Sequence, residues 1–220
     1  MSELEDFSEG VFTSVWSQYN RPERIVTPGH FYPKERAGTA RLALQETKAE
    51  YGTSSSRETG AMKQNLGWTE LINALNNERQ WAIKRFFEIL DPVILSGVAI
   101  SVVPPHRSYK AFWPLRTLAR QLADNGRVDA TSCLIRHTTI QRITFGGANT
   151  EELHRKTIRV DYPSLIEGKR VLLLDDIAKS GASLKACRAM LLEAGAEMVQ
   201  AMALGRVIVG EDSPSQFRSD

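Results

Sequence analysis

Cysteine is scarce in this chain, and its two residues, Cys133 and Cys187, stand far apart. Neither belongs to a C-x-x-C pair or to a cluster with histidine, the patterns that are typical of structural zinc sites and of redox motifs. The sequence therefore argues against a structural zinc and against a disulfide framework. We expect both thiols to be small buried side chains.

Long apolar runs and an excess of one charge are also lacking. No stretch reaches the roughly 18 uncharged apolar residues of a membrane span, and the acidic start MSELEDFSEG has no apolar segment of a signal peptide. Lysine and arginine total 28 against 26 acidic residues, a net charge of +2 without a basic tail. We therefore expect a soluble cytoplasmic protein that does not act at a membrane, and nucleic acid is not indicated as a partner.

Strand-like and helix-like patterns alternate in the second half of the 220 residues, a length that can hold one α/β domain with an appendage. Strands are predicted at 97–103, 131–136, 157–160, 171–174 and 199–209, and helices at 114–125 and 182–194. This order predicts an α/β fold with a doubly wound, mostly parallel sheet over residues 97–220.

Residues 1–96 follow no such order. Apolar residues recur at helical spacing over 69–90, with Thr69 as a cap, and a shorter helix is predicted around 37–50. The polar segment 51–60, YGTSSSRETG, is typical of a loop. We therefore expect an N-terminal, mainly helical extension that forms an appendage or hood beside the sheet.

The segment 171–183, VLLLDDIAKSGAS, concentrates the chemistry of the chain. Its four apolar residues predict a buried strand, so Asp175 and Asp176 should emerge at the carboxyl edge of the sheet, where ligands bind in open α/β folds. Two adjacent acids at that edge suit a polyol or a cation. The sequence therefore predicts a ligand site that includes both carboxylates.

A glycine and two hydroxyls follow the acids and precede a helix. The unpaired N–H groups and positive dipole of a helix N-terminus suit a phosphate, Gly181 allows close approach, and Ser180 and Ser183 can donate hydrogen bonds. Lys179 could add positive charge. An acidic pair beside a phosphate cradle predicts a sugar phosphate as the ligand.

Two other interpretations compete with a sugar-phosphate site for this segment. A core strand with incidental acids explains the apolar run but not the turn of glycine and hydroxyls. The magnesium strand of a P-loop nucleoside triphosphatase would need a G-x-x-x-x-G-K-[ST] loop, which the chain does not contain. The sugar-phosphate site is therefore the favoured interpretation.

VLLLDDIAKSGAS resembles the signature of the type I phosphoribosyltransferases, with departures at Ala178 and Lys179. The resemblance implies that Asp175 and Asp176 hold the ribose hydroxyls, directly or through water on a magnesium ion. It also implies a 5-phosphate site formed by five consecutive residues: Lys179, Ser180, Gly181, Ala182 and Ser183.

Two further segments resemble ComF-like members of that family, although residues 1–96 lack the cysteine cluster that many of those proteins carry. VVPPHRSYK (102–110) resembles their pyrophosphate loop, and the region from Arg136 to His154 resembles the start of a mobile lid with Gly146-Gly147. The resemblance implies four pyrophosphate-binding residues: His106, Arg107, Ser108 and Lys110. It also implies three residues at the lid, the first two with catalytic roles: Arg136, Gln141 and Arg142.

Two functions follow from this resemblance and stay open at this point. In the first, an enzyme uses phosphoribosyl diphosphate and magnesium, transfers phosphoribose to a nitrogen acceptor and releases pyrophosphate. In the second, the same pocket senses phosphoribosyl diphosphate or a nucleotide and reports to a partner without turnover. A protein partner bound through residues 1–96 and a homodimer are compatible with both.

Overall fold

The computed structural model describes residues 10–32, 58–141 and 149–208. In these ranges the helices are α1 (Glu58–Asn76), α2 (Gln80–Leu90), α3 (Pro114–Asp124), α4 (Glu151–Thr157) and α5 (Ala182–Glu193). The strands are β1 (His30–Phe31), β2 (Ala99–Val102), β3 (Val128–Asp129), β4 (Leu134–Arg136), β5 (Ile158–Val160), β6 (Arg170–Ala178) and β7 (Met198–Val207). The helix predicted around 37–50 lies outside the described residues.

Five of the strands form one parallel sheet in the order β1-β7-β6-β2-β3, and β4 and β5 form a separate antiparallel pair. The central strand β6 is buried on both faces, as its unbroken apolar run predicts. Leu172 and Leu174 point to one core, and Val171 and Leu173 to the other, because side chains alternate along a strand.

Helices cover both faces of this sheet. Apolar residues of α1, α2 and α3 pack in the core that contains Leu172, and those of α5 pack in the core that contains Leu173. Cys133 and Cys187 are fully buried in the second core, as expected. The predicted doubly wound, mostly parallel α/β fold is confirmed.

The single helix predicted over 69–90 is wrong, because α1 ends at Asn76 and α2 begins at Gln80. Between them Glu78 has a φ of 60°, a left-handed conformation that no helix continues through. The side-chain amide of Asn77 donates to the carbonyl of Asn73 at 2.7 Å and so competes with the backbone at this end. The break lets both helices present apolar residues to one core.

Residues before 97 contribute to the same sheet. β1 pairs with β7, Val26 bridges to Met202, and the indole N–H of Trp68 donates to the carbonyl of Leu204 at 2.5 Å. The two-residue strands β1 and β3 are too short to leave a period in the sequence, which is why neither was predicted. Whether residues 1–96 also form a hood over a ligand stays a prediction.

Candidate functional site

Asp175 and Asp176 lie where β6 extends past β2. Val102 at the end of β2 pairs with Leu174, and beyond that point β7 is the one described strand that pairs with β6. The strand continues to Ala178, four residues further than the sequence pattern predicts, because β7 pairs with it up to Arg206. The acidic pair therefore stands at the carboxyl edge of the sheet.

Asp175 is held by the helix that follows it. The hydroxyl of Ser183 donates to its Oδ2 at 3.0 Å, and the backbone N–H of Asp176 donates to its Oδ1 at 3.0 Å. Burial raises the pKa of Asp175 well above its ordinary value, the charge of Asp176 raises it further, and the Ser183 hydrogen bond opposes the rise. A cation or a hydroxyl donor that approaches this carboxylate would favour its charged form.

Replacing Asp175 by asparagine should make the protein more stable at neutral pH. The folded-state pKa of Asp175 lies above the ordinary value of 3.8. The carboxyl group therefore makes its full contribution to the free energy of unfolding below pH 3.8, and this contribution is lost as the pH rises through the folded-state pKa. We expect Asp175→Asn to gain roughly 1 kcal/mol in the free energy of unfolding at pH 7, and less near pH 4. Urea unfolding at both pH values measures this, with the exposed Asp124→Asn as control; a loss of stability at pH 7 would contradict it.

The turn after Asp176 forms the N-terminus of α5. Gly181 is the N-cap with a φ of 76°, and an added Cβ would lie 2.4 Å from Cδ1 of Ile25. Lys179 and Ser180 are exposed, whereas Gly181 and Ala182 are buried. The predicted donors differ in what they do: Ser183 donates to Asp175, so among the hydroxyls Ser180 is the one at the open side of the turn.

Three hydrogen bonds tie the predicted pyrophosphate loop to the end of β4 and the segment after it. The carbonyl of His106 accepts from Ile140 N at 3.0 Å, Ser108 N donates to Thr139 Oγ1 at 3.0 Å, and Tyr109 N donates to the carbonyl of Arg136 at 2.9 Å. The Ser108 hydroxyl also lies 2.9 Å from Thr139 Oγ1. Ser108 is thus engaged within the protein.

Arg107 and Lys110 line a cavity of about 150 Å³ together with Trp113, Arg116 and other residues of the loop, α3 and β4. The lining includes Arg136 but neither the acidic pair nor the turn 179–183. The structure therefore groups the predicted site residues in two places: the acids with the turn, and the basic loop residues with this cavity.

Arg136 is 3% exposed, and its guanidinium donates hydrogen bonds to acceptors within the protein. Nε donates to the carbonyl of Pro105 at 2.7 Å and Nη1 to Thr157 Oγ1 at 2.6 Å, while Nη2 lies 3.2 Å from His154 Nδ1. Burial lowers the pKa of Arg136. This environment favours a positioning role for Arg136 over direct contact with a ligand.

His154 and Asn149 were not singled out from the sequence, yet they connect the two groups. His154 Nε2 lies 2.8 Å from Asn149 Oδ1, and Asn149 Nδ2 donates to Ser180 Oγ at 2.9 Å. The signal that could have found them is the helix start: Thr150 caps Leu153 N, with acids in the first turn of α4 and bases in its last.

The lid residues are only partly described. Gln141 is exposed at the end of the segment that binds the loop, whereas Arg142 and Gly146-Gly147 lie outside the described residues. Asn149, the first described residue after them, contacts the turn of α5 through Ser180. The C-terminal end of the predicted lid therefore lies beside the predicted phosphate turn.

Among the described residues, no group of three or more histidine, cysteine or acidic side chains could hold a metal ion. Asp175 and Asp176 are two neighbouring carboxylates at an open edge, and magnesium commonly binds through one or two carboxylates, retained waters and substrate phosphates. The donor set fits a magnesium ion that arrives with a phosphate ligand.

In the described part of the chain, no helix is long and apolar enough to cross a membrane.

A family model for the phosphoribosyl transferase domain matches residues 89–216, more than half of the chain. No curated protein sequence matches it. Among solved structures, the allosteric regulatory enzyme of purine biosynthesis has 19% identity and a TM-score of 0.33 over 61% of this chain and 24% of its own. A hypoxanthine phosphoribosyltransferase from Staphylococcus aureus has 13% identity and a TM-score of 0.32, with 66% and 76% covered. The chain thus spans about a quarter of the first of these proteins.

Proposed function

Because the chain belongs to the phosphoribosyl transferase domain family, we propose that it is an enzyme that transfers phosphoribose from phosphoribosyl diphosphate to a nitrogen acceptor and releases pyrophosphate. The observation that carries the proposal is the bond of Ser183 to Asp175, which joins the acidic pair to the N-terminus of α5. One ligand with hydroxyls and a phosphate can contact both. A ComF-like specialisation and a cytoplasmic location are part of this proposal.

In the proposed reaction the bond between the anomeric carbon and the diphosphate oxygen breaks, and its electron pair leaves with pyrophosphate. The nitrogen lone pair forms the new bond to carbon, and the nitrogen releases its proton. Asp175 and Asp176 would hold the ribose hydroxyls, and the turn 179–183 would hold the 5-phosphate. Magnesium bound through water at the acidic pair would neutralise charge on the leaving pyrophosphate.

The basic loop supplies the remaining electrostatic stabilisation in this proposal. Arg107 and Lys110 are exposed cations that would stabilise the departing pyrophosphate, and His106 and Ser108 would shape the same loop. Gln141 and the lid that follows it would exclude water from the oxocarbenium-like transition state. Arg136 would hold the loop through the carbonyl of Pro105.

A non-catalytic sensor is the second candidate, favoured by Lys179. This lysine is exposed in the phosphate turn, and an ammonium group there strengthens anion binding without contributing to transfer. Such a protein would bind phosphoribosyl diphosphate or a nucleotide and report to a protein partner, with residues 1–96 as the contact. A homodimer is compatible with either candidate.

Calorimetric titration with phosphoribosyl diphosphate and magnesium, followed by an assay of pyrophosphate release across a panel of nucleobases, tests both. Binding and acceptor-dependent pyrophosphate release support the transferase. Binding without release on every acceptor supports the sensor. Failure of the wild-type protein to bind the ligand would exclude both.

A further inference from the structure

A chain of four hydrogen-bonding side chains runs from the end of β4 to the turn of α5. Its members, in order, are Arg136, His154, Asn149 and Ser180, and successive polar atoms lie 3.2, 2.8 and 2.9 Å apart. Its first two residues are buried and its last is exposed. The chain therefore starts in the core and ends at the open side of the turn.

The guanidinium of Arg136 fixes the direction of this chain, because arginine only donates hydrogen bonds. His154 Nδ1 must then accept from Arg136 Nη2, so the single proton of the neutral imidazole sits on Nε2. Burial, with the charge of Arg136 adding to it, lowers the pKa of His154 to about 4, so the ring is neutral near pH 7.

The direction then passes to the turn. His154 Nε2–H donates to Asn149 Oδ1, which places the Asn149 amide nitrogen toward Ser180 Oγ. Ser180 Oγ accepts from that nitrogen and also from the backbone N–H of Ala182 at 3.4 Å. With both acceptor positions used by the protein, its remaining capacity is one hydroxyl proton to donate.

We propose that His154 is a positioning residue that orients Asn149, so that the Ser180 hydroxyl donates its proton to a phosphate oxygen of the ligand. The inference rests on the proposed function for the identity of that ligand. It explains why a buried neutral histidine stands between a guanidinium and an amide. A side chain that accepted hydrogen bonds at both ends would accept from the Asn149 amide nitrogen, and Asn149 Oδ1 would then face Ser180. The Ser180 hydroxyl would donate its proton to that oxygen and not to the ligand.

Two substitutions of similar size at His154 separate the effect of hydrogen-bond direction from the effect of side-chain packing. His154→Gln keeps an oxygen that can accept from Arg136 and a nitrogen that can donate to Asn149, whereas His154→Glu accepts from both. We expect His154→Glu to weaken ribose 5-phosphate binding about tenfold and His154→Gln to weaken it much less. Titration calorimetry measures both affinities against the wild type.

The same pair of substitutions in a Ser180→Ala background completes a double-mutant cycle. We expect the difference between glutamate and glutamine to disappear, since no serine proton remains to be redirected. An equal difference in both backgrounds would overturn the inference. If His154→Glu does not fold, Asn149→Asp replaces it, because an aspartate there accepts from both His154 and Ser180.

The tautomer of His154 gives a readout that needs no ligand. Nitrogen-15 NMR of the imidazole should show the proton on Nε2 in the wild type. A proton on Nδ1 would overturn the inference about His154 and leave the proposed function standing. Wild-type protein that fails to bind ribose 5-phosphate would count against the proposed function as well. The two failures are thereby distinguishable.

Discussion

Asp175→Asn combined with Asp176→Asn should weaken binding of phosphoribosyl diphosphate with magnesium at least about a hundredfold. Both carboxylates stand at the open edge of the sheet, and each hydrogen bond to a charged group contributes roughly 1.5 to 3 kcal/mol. Two such losses amount to about 3 to 6 kcal/mol, and each 1.4 kcal/mol is a factor of ten. Titration calorimetry at neutral pH checks the affinity.

The matched control is Asp124→Asn at the exposed end of α3, which changes charge without touching the site. Its affinity should equal that of the wild type. A loss of affinity in the double variant should not result from unfolding, since Asp175→Asn alone is expected to stabilise the protein. Unchanged binding by the double variant would exclude a sugar-phosphate site at this edge.

Arg136→Met should lower the free energy of unfolding by about 3 to 5 kcal/mol. The methionine removes the donors to Pro105 O and Thr157 Oγ1, and each buried acceptor left unpaired costs roughly 1 to 3 kcal/mol. Urea unfolding monitored by circular dichroism measures the difference.

Arg155→Met serves as the control, because Arg155 is exposed and pairs with Glu193 at the surface. Exposed ion pairs contribute about 0 to 1 kcal/mol, so this variant should unfold close to the wild type. An Arg136→Met protein of normal stability that has lost turnover would contradict the positioning role. It would return Arg136 to the direct catalytic role that the family resemblance implies.

The central strand and the helix after it could be predicted because their patterns are local. Four apolar residues, two acids and a glycine turn specify a buried strand, its edge and a helix start within thirteen letters. Arg136 was also identified from the sequence, but its burial beneath the loop carbonyls depends on Thr157 and His154, which lie on α4. Such long-range pairing leaves no period in the sequence.

The break between α1 and α2 was missed for a similar reason. Leu75, Ala82 and Phe86 fit one continuous helical stripe well enough, and only the left-handed backbone at Glu78 shows that the chain turns between them. A glutamate in the sequence does not indicate a left-handed backbone conformation. The apolar stripe correctly indicates what is buried, while the path of the backbone depends on the shared core.

The pairing of β1 with β7 affects how this protein can be divided for experiments. The family match begins at residue 89, so a fragment cut there would lack β1 and the apolar residues of α1. Its strand β7 would then become an uncovered sheet edge, of the kind that promotes aggregation. Any shortened form of the protein made for binding and turnover assays should therefore retain the residues from Gly10 onward.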